Sequence, residues 1–427
     1  MKIAVVGTGI SGLVAGWLLQ REHEVTVFEA LDRVGGHTNT VEVELQGRHF
    51  AVDTGFIVHN VRTYPNLARI FEELGVVTKP TTMSFSVREE ATGLEYSSQA
   101  ILARRRNALS PRVLRTAREI VRFNAEAQRL LEQAGEQLTL GELLQTRRYS
   151  QAFIDLYIVP MGAAIWSTDP ARMMFFPART FLRFLINHGL TSLIDRPTWR
   201  VVEGGSREYV GRLTRAFAGR IRTRSPVLRI HRHEHDVELT VRGCPPEHFD
   251  RVVIAAHSDQ ALQMLADPSD AERQILGAMP YQTNEAVLHT DESLLPRHRR
   301  AWASWNYQVP AAPRERVVVT YDMNALQGIS NAPATFCVSL NAGDRIDPSK
   351  VLYRTRYDHP LFTAEAVAAQ RRIDEISGSR HTYYCGAYWR YGFHEDGVVS
   401  ALAVARKFGM GLASTCPDPV TQSEAAA

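Results

Sequence analysis

The chain has 427 residues, 44% of them hydrophobic, and on a prior of about 150 residues per domain it can bury two cores. The formal net charge is only +3, which gives no reason to expect binding to nucleic acid. The N-terminal apolar run is broken by glycine, unlike a signal peptide, and no segment reaches the roughly 18 uninterrupted apolar residues of a membrane span. The four cysteines lack close pairing or metal-ligand spacing, so we expect a soluble protein of the reducing cytoplasm.

The first elements of the chain predict a dinucleotide-binding unit. An apolar run over 3–6 is typical of a buried strand, and a Gly-x-Gly-x-x-Gly turn joins it to a helix and then to a second strand that ends at Glu29. The glycines permit a tight turn, room for a diphosphate and close packing of helix on strand, and the helix N-terminus offers unpaired N–H groups to phosphate. Glu29 lies 17 positions after Gly12, near the spacing at which an acid binds the ribose hydroxyls. The predicted cofactor-binding residues of this unit are Gly7, Gly9, Ile10, Ser11, Gly12 and Glu29.

A short basic and glycine-rich segment follows the acid, where a plain nicotinamide-binding domain has no such requirement. With the preceding unit, Arg33-Val34-Gly35-Gly36-His37 resembles the two-dinucleotide-binding flavoproteins of the flavin amine oxidase superfamily. That superfamily includes monoamine and polyamine oxidases, protoporphyrinogen oxidase, phytoene desaturases and the non-redox GDP-dissociation inhibitors. The resemblance implies FAD rather than NAD. It also implies a cofactor role for Ala30, Arg33, Gly35, Gly36 and His37, although the family usually has Arg at the position of His37, which puts one phosphate contact in question.

The next segment, 52–56, resembles the second flavin-contacting stretch of the same superfamily. The resemblance implies cofactor contacts for Thr54, Gly55 and Phe56 and a helix over about 64–76. More closely, Gly-Gly-His-Thr-Asn-Thr at 35–40 and Asp-Thr-Gly-Phe-Ile-Val-His-Asn at 53–60 resemble a group of bacterial predicted NAD/FAD-binding proteins. Members of that group are linked with the modification of membrane fatty acids, so a fatty-acyl substrate is implied.

A basic amphipathic helix is predicted from Arg112 to Leu131. Its apolar side carries Val113, Ala117, Ile120, Val121 and Leu131. Its basic side carries Arg115, Arg118, Arg122 and Arg129, and Arg104, Arg105 and Arg106 precede it. The pattern is typical of a core-facing helix with a solvated arginine side, but it also suits a helix lying on anionic lipid. Peripheral membrane contact through 104–131 is therefore one prediction.

The middle of the chain predicts a small sheet and a returning strand. Segments 221–224, 227–230 and 237–241 alternate as strands do, and 251–256 brings the chain back to the dinucleotide unit. The resemblance implies an adenine-side contact for Val227. His231, His233 and His235 alternate in this region, but they fall where a hairpin should turn, so the pattern predicts a solvated hairpin and no metal.

The C-terminal part resembles the place where the superfamily's chain returns to the flavin. A strand ends at Gly386, an irregular stretch follows, and a helix is predicted from Gly397. The resemblance implies cofactor contacts for Gly386, Gly397 and Val398, with the helix N-terminus directed at the N1–C2=O edge of the ring. Ala387 replaces the acid or Thr of the family, a role that Glu395 or Asp396 could take over. The substrate-pocket candidates are Tyr388, Trp389, Tyr391 and Trp305, and 417–427 is predicted to be a flexible tail.

These observations predict an α/β fold, α+β overall. A Rossmann-like FAD-binding domain (1–80, 200–265 and 375–411) is interleaved with a mixed α+β substrate domain (81–199 and 266–374). The predicted function is an FAD-dependent oxidoreductase that takes a hydride from an apolar substrate, such as a fatty-acyl chain, onto flavin N5. The alternatives are a flavin amine oxidase and a non-catalytic carrier of the GDP-dissociation-inhibitor kind. No lysine matches the one that amine-oxidising relatives often place by N5, and catalytic residues, electron acceptor and oligomeric state stay open.

Overall fold

The computed structural model describes residues 1–98, 107, 110–192, 196–312 and 314–412. The strands in these ranges are β1 (Lys2–Val6), β2 (Glu24–Phe28), β3 (Thr40–Leu45), β4 (Arg48–Asp53), β5 (Val58–His59), β6 (Thr78–Pro80), β7 (Phe85–Glu89), β8 (Leu94–Ser97), β9 (Arg200–Val202), β10 (Ile221–Arg222), β11 (Val227–Arg232), β12 (Val237–Val241), β13 (Glu247–Phe249), β14 (Arg251–Ile254), β15 (Tyr281–His289), β16 (Trp305–Val309), β17 (Val318–Asp322), β18 (Cys337–Leu340), β19 (Val351–Pro360) and β20 (Thr382–Tyr384).

Helices connect these strands. The α-helices are α1 (Ile10–Leu19), α2 (Pro65–Glu73), α3 (Pro111–Gln133), α4 (Leu140–Thr146), α5 (Gln151–Phe153), α6 (Val159–Trp166), α7 (Ala178–Asn187), α8 (Arg207–Thr214), α9 (Ser258–Met264), α10 (Asp270–Gly277), α11 (Met323–Gln327), α12 (Ala364–Gln370) and α13 (His394–Arg406). A π-helical turn, Ile154–Ile158, joins α5 to α6, and short 3₁₀ turns include Pro170–Phe175 and Ala387–Trp389.

A parallel five-stranded sheet, in the order β10-β2-β1-β14-β20, forms the dinucleotide-binding unit. Ile3 and Val5 of β1 pack in the core beneath α1, α2, α8 and α13, whereas Ala4 and Val6 pack in the core on the opposite face. Burial on both faces is why β1 is a continuous apolar run rather than an alternating one. The structure corrects the prediction for 221–224, because β10 extends this parallel sheet, and β11, β12 and β13 make the separate three-stranded one.

A mixed seven-stranded sheet, in the order β19-β15-β18-β17-β16-β7-β8, is the second large element. Its inner side and helices α3 to α7 bury the largest core of the described residues. All strands of the five-stranded sheet lie within 1–80, 200–265 and 375–411, and all strands of the seven-stranded sheet lie within 81–199 and 266–374. The predicted α/β class with a mixed second unit is confirmed, while the exact domain boundaries stay a prediction.

Helix α3 packs its apolar side against the protein core. This corrects the expectation that the same side could lie on a membrane. The side chains that it buries are Val113, Thr116, Glu119, Phe123, Ala127 and Leu130. Ala117, Ile120 and Leu131 are half-buried, and Val121 is 62% exposed on the solvent side. Each helix of the described ranges is too short or too polar to cross a bilayer. Arg104, Arg105, Arg106 and the tail 417–427 lie outside the described residues.

Candidate cofactor and substrate site

The glycine-rich turn after β1 packs tightly against the protein at Gly7 and Gly12 but is open at Gly9. Gly7 has φ +104°, a region that L side chains rarely adopt, and its N–H donates to the carbonyl of Phe28 at 2.8 Å. A Cβ atom on Gly12 would overlap the carbonyl oxygen of Gly7, so helix and strand touch there. A Cβ atom on Gly9 would meet no protein atom within 4 Å. Space is therefore left above Gly9, where the sequence predicts a diphosphate.

Glu29 is buried and ties this turn to the following loop. Its carboxylate accepts hydrogen bonds from the Thr8 N–H at 3.0 Å, from the Thr8 hydroxyl and from the Leu31 N–H at 2.8 Å. The carbonyl of Glu29 accepts from the N–H of Ser225 at 2.8 Å, two residues before Val227. Val227 is buried in the core between the parallel sheet and the three-stranded sheet β11-β12-β13, next to the loop that flanks Glu29. The ribose and adenine contacts of Glu29, Ala30 and Val227 stay predictions.

The Arg33–His37 segment folds back over the glycine turn. The Gly35 N–H donates to the Thr8 carbonyl at 3.1 Å, and a Cβ atom on Gly36 would lie 2.9 Å from the Gly9 Cα. The Arg33 guanidinium donates to the Gly36 carbonyl at 2.8 Å. The sequence-distant pieces of the predicted phosphate site are thus adjacent. In the described structure, Arg33 braces the loop through backbone carbonyls.

The C-terminal helix reaches the same place from the other end of the chain. α13 begins at His394, three residues before the predicted start, so Gly397 and Val398 lie inside its first turns. A Cβ atom on Gly397 would lie 2.6 Å from Ile10 Cγ2 and 2.8 Å from Ser11 Oγ. The Gly386 N–H donates to the Ser400 hydroxyl at 2.8 Å, which fixes the end of β20 on this helix. The predicted residues at the two chain ends are brought together.

The two acids at the start of α13 have different roles from the one suggested by the sequence. Glu395 accepts hydrogen bonds from the N–H groups of Asn66 (3.0 Å) and Leu67 (2.9 Å), so it caps α2 and is not free to hold a ribityl chain. Asp396 accepts from the Phe393 N–H at 2.9 Å. Burial raises the pKa of Asp396 to about 7, against the lowering effect of Arg390. Asp396 is therefore an acid of near-neutral pKa in the first turn of this helix.

The segment Thr54–Phe56 connects the dinucleotide unit to β19. The Thr54 and Tyr357 hydroxyls lie 2.9 Å apart, and a Cβ atom on Gly55 would overlap the carbonyl oxygen of His37. The Phe56 ring stacks on the His394 imidazole with ring centroids 3.7 Å apart. This predicted flavin-contacting segment therefore lies between the His37 loop, the start of α13 and the seven-stranded sheet.

Three histidines meet between the two large sheets, and sequence reasoning identified only one of them. The ring centroid of His37 lies 5.4 Å from that of His359 and 6.1 Å from that of His257, with Tyr357 at 4.9 Å. Burial, reinforced by His257, lowers the pKa of His359 to about 4. Burial is also the main reason why the pKa values of His37 and His257 are lowered. His257 directly follows β14, at the carboxyl edge of the parallel sheet where ligands bind, a signal that could have identified it.

The substrate-pocket candidates fall on two different cores. Tyr388 and Trp389 are buried on the small-sheet side of the parallel sheet. Tyr391 and Trp305 pack against the core of the seven-stranded sheet, where the Tyr391 carbonyl accepts from the indole of Trp166 at 3.2 Å. The four residues do not form one continuous wall, and their contact with a substrate stays a prediction.

The geometry around Gly9 fits the diphosphate of FAD. Gly9 is the N-cap of α1 without a side-chain cap, and the first turn of α1 has no acidic residue. Its N–H groups and helix dipole can therefore attract phosphate oxygens in the open space above Gly9. The close contact of Gly397 with Ile10 places a second helix N-terminus beside the first. A long cofactor with a diphosphate and an electron-accepting ring suits this pair of helix ends.

Comparison with known proteins agrees with this geometry. The sequence model of the family described as "Flavin containing amine oxidoreductase" matches residues 10–358. The chain is 27% identical over 255 residues to "Putative flavin-containing monoamine oxidase AofH" of Mycobacterium tuberculosis, covering 56% of this chain and 53% of that protein. It is 48% identical over 44 residues to the uncharacterized protein MJ1488 of Methanocaldococcus jannaschii, 10% of this chain and 11% of that one. The chain thus spans about half or less of these curated relatives.

Solved structures share the fold over nearly the whole chain. A CLA-producing fatty acid isomerase from P. acnes superposes with a TM-score of 0.69 at 18% identity, covering 95% of this chain and 98% of that one. Cyclohexylamine oxidase from Brevibacterium oxydans superposes with a TM-score of 0.66 at 16% identity, covering 96% and 99%. These likenesses establish the fold, and the match over 10–358 establishes the family. The chain belongs to the flavin-containing amine oxidoreductases, and its cofactor is FAD.

Proposed function

We propose that this protein is an FAD-dependent oxidoreductase that oxidises a C–H bond of an apolar substrate, with a fatty-acyl chain as the substrate class that fits best. The single observation that carries the apolar part is a group of three buried, neutral imidazoles between the two large sheets. His37, His257 and His359 face one another there, and burial lowers the pKa of each. At neutral pH these imidazoles carry no charge that could pair with a charged reacting group.

Several neighbours of these imidazoles are neutral as well, and the charged side chains that act on them are Arg33, Asp259 and Asp358. Tyr357 is held by Thr54 and Asn39, and Asn284 donates to the His359 imidazole at 3.0 Å. Tyr281 stacks on His257 with ring centroids 4.6 Å apart. Such a surface offers apolar area and a few fixed polar groups, which is how sites for small apolar ligands are built.

The residues of this chain would hold and orient the cofactor. When bound, FAD supplies the hydride acceptor, and the protein supplies position and electrostatic field. The α1 N-terminus at Gly9 would bind the diphosphate, and the first turns of α13, which contain Gly397 and Val398, would stabilise negative charge that gathers on the ring. Thr54 to Phe56 lie where they can fix the ring relative to β19.

Amine oxidation is the second candidate, favoured by the match to a relative named as a monoamine oxidase and by the fold of cyclohexylamine oxidase. The positions of the lysines disfavour amine oxidation. None of Lys2, Lys79, Lys350 and Lys407 lies in the seven-stranded sheet. Lys350 pairs with Asp291 at 3.4 Å and Lys407 with Asp374 at 3.0 Å. This distribution supports the prediction that the lysine that amine-oxidising relatives often place near N5 has no counterpart.

Anaerobic reduction of the bound flavin tests the proposal. Purified protein should be yellow, and its visible flavin bands should bleach on addition of dithionite. Mixed without oxygen, a fatty-acyl substrate should bleach the same bands while primary amines leave them unchanged. Bleaching by amines alone would replace the proposal with amine oxidation. Bound flavin that neither class reduces would favour a carrier.

A further inference from the structure

An exposed group of imidazoles and carboxylates lies on the small sheet, away from the cofactor crevice. One ligand atom each from His233, Asp236 and His248 lie within 4.8 Å of one another. His248 Nδ1 is 3.0 Å from Asp236 Oδ2. The carboxylate of Glu238 lies 3.9 Å from His233 Nε2 and 3.7 Å from His248 Nε2. His233, Asp236 and His248 thus converge on one spot, and Glu238 flanks it on the Nε2 side of His248.

The strand register explains why these side chains meet. In the antiparallel sheet β11-β12-β13, Glu238 is paired with His248 on one side and with His231 on the other. Directly paired residues of neighbouring strands point to the same face of a sheet. His233 and Asp236 close the β11–β12 turn, where the His233 N–H donates to the Asp236 carbonyl at 2.9 Å. The opposite face is buried, through Ile230, Val237, Leu239 and Phe249, so the outer face rests on a rigid support.

The sequence pattern alone does not predict this group of histidines and carboxylates. Three alternating histidines, 231, 233 and 235, predict a solvated hairpin without a metal. The structure adds His248, which comes from β13 and is stacked against His233 with ring centroids 5.8 Å apart. His235 is exposed in the turn and is not part of the group.

We propose that His233, His248 and Asp236 form a surface site for a divalent transition metal of the zinc class, with Glu238 beside it. Two imidazole nitrogens with carboxylate oxygens are a donor set typical of Zn²⁺, whereas Mg²⁺ and Ca²⁺ prefer oxygen ligands alone. Since the ligands come from the β11–β12 turn and from β13, a bound ion cross-links the small sheet. The site is independent of the redox function proposed above, and the ion takes no part in that reaction.

Metal retention by the full-length, tag-free, FAD-loaded protein tests the site. The protein, in a Cys244→Ser background that removes an exposed thiol, is dialysed with ZnCl2 and then analysed for metal. We expect about one zinc per chain, a higher melting temperature with zinc, and no comparable retention of MgCl2. Retention should fall as the pH is lowered from 7.5 to 5.5, because protons compete for imidazole nitrogens.

Matched variants distinguish the site from adventitious binding. His233→Ala and His248→Ala should each weaken zinc binding by at least about tenfold and abolish the rise in melting temperature. His235→Ala removes an imidazole from the same turn and should bind zinc as the parent does. The flavin spectrum and circular dichroism of each variant verify the fold. Absence of zinc in the parent, equal retention by His248→Ala, or an equal loss in His235→Ala would overturn the proposal.

Discussion

Gly397 and Ile10 pack so closely that a Cβ atom on Gly397 would lie 2.6 Å from Ile10 Cγ2. Nearly 390 positions of chain separate them, yet the first turns of α13 and α1 touch with no room for a side chain between. The contact places the first turns of two helices side by side. Because each helix N-terminus carries partial positive charge, the pair suits a cofactor with a diphosphate at one end and an electron-accepting ring at the other.

Substitutions at two glycines of the same turn should have different consequences, one for flavin binding and one for stability. Gly9→Val adds a side chain where no protein atom lies within 4 Å of the new Cβ, so the protein should fold but purify without flavin. Gly12→Ala would overlap the Gly7 carbonyl and should lower the melting temperature. Flavin absorbance per chain and thermal unfolding measure the two effects. Gly211→Val, also in open space on α8, is the control, and full flavin occupancy in Gly9→Val would contradict the assigned phosphate site.

Replacing the carboxylate of Glu29 should weaken FAD retention. The amide of Glu29→Gln is a poorer acceptor for the Thr8 and Leu31 N–H groups and for ribose hydroxyls. We expect a loss of roughly 1–3 kcal/mol in the binding free energy of FAD, measured by titration of the apoprotein. Asp32→Asn, a change of the same charge in the same loop but at an exposed side chain, should bind as the parent does. Unchanged affinity in Glu29→Gln would mean that the ribose is held elsewhere.

The parts of the site that the sequence predicts are those encoded by local spacing. The turn from Gly7 to Gly12 and the acid at Glu29 occur within one strand–helix–strand unit, so their pattern is visible without any partner. The sequence predicts that α13 starts at Gly397, because that glycine resembles a helix start. The structure begins it at His394, where the Asp396 side chain accepts from the Phe393 N–H.

Features that depend on distant strands escaped prediction. β10 looks like part of a local meander, but its two residues pair with β2, about 200 positions earlier. His257 and His359 become neighbours of His37 only when β14 and β19 are in place. His248 joins His233 through the register of three strands. None of these pairings leaves a periodic signal in one segment, because each depends on which strands become neighbours.

Membrane contact through α3 should be electrostatic and weak. Its apolar side is in the core, and its exposed arginines are partly neutralised, for example Arg129 by Glu126 at 3.3 Å. We expect flotation with anionic vesicles at low salt, and its loss at high salt or with neutral vesicles. Arg118→Glu with Arg129→Glu should abolish it, whereas Arg215→Glu with Arg220→Glu, an equal charge change near α8, should not. Salt-independent flotation would show an apolar contact instead.

Acid should destabilise the protein through buried neutral histidines such as His289. Burial lowers the pKa of His289 to about 4, and its Nδ1 accepts from the Asp291 N–H at 3.0 Å. The unfolded chain binds this proton more readily, so the stabilisation is complete above about pH 6.5 and is lost as the pH falls towards 4. The loss is about 3 kcal/mol for this group alone, an order-of-magnitude figure.

Urea unfolding at pH 8 and pH 5 measures this loss. His289→Asn keeps an acceptor for the Asp291 N–H but cannot take up the proton, so its free energy of unfolding should fall less between the two pH values. His49→Asn changes an exposed histidine of β4 and should behave as the parent does. An identical pH dependence in the parent and His289→Asn would show that other groups account for acid unfolding.

Asp396 should affect stability in the opposite pH direction. Because burial raises its pKa to about 7, the folded state binds the proton more tightly than the unfolded chain does. Its contribution is present at low pH and is lost as the pH rises from about 4 to 7, since a buried carboxylate must then be charged.

Asp396→Asn cannot ionise, and its side-chain oxygen can still accept from the Phe393 N–H. We therefore expect the variant to be more stable than the parent at pH 8, by roughly 1–4 kcal/mol in urea unfolding, and to keep less than half of this advantage at pH 5. Asp250→Asn, at an exposed acid, is the control. A variant less stable at both pH values would mean that the charged carboxylate is needed at the start of α13, as a partner either of Arg390 or of the helix dipole.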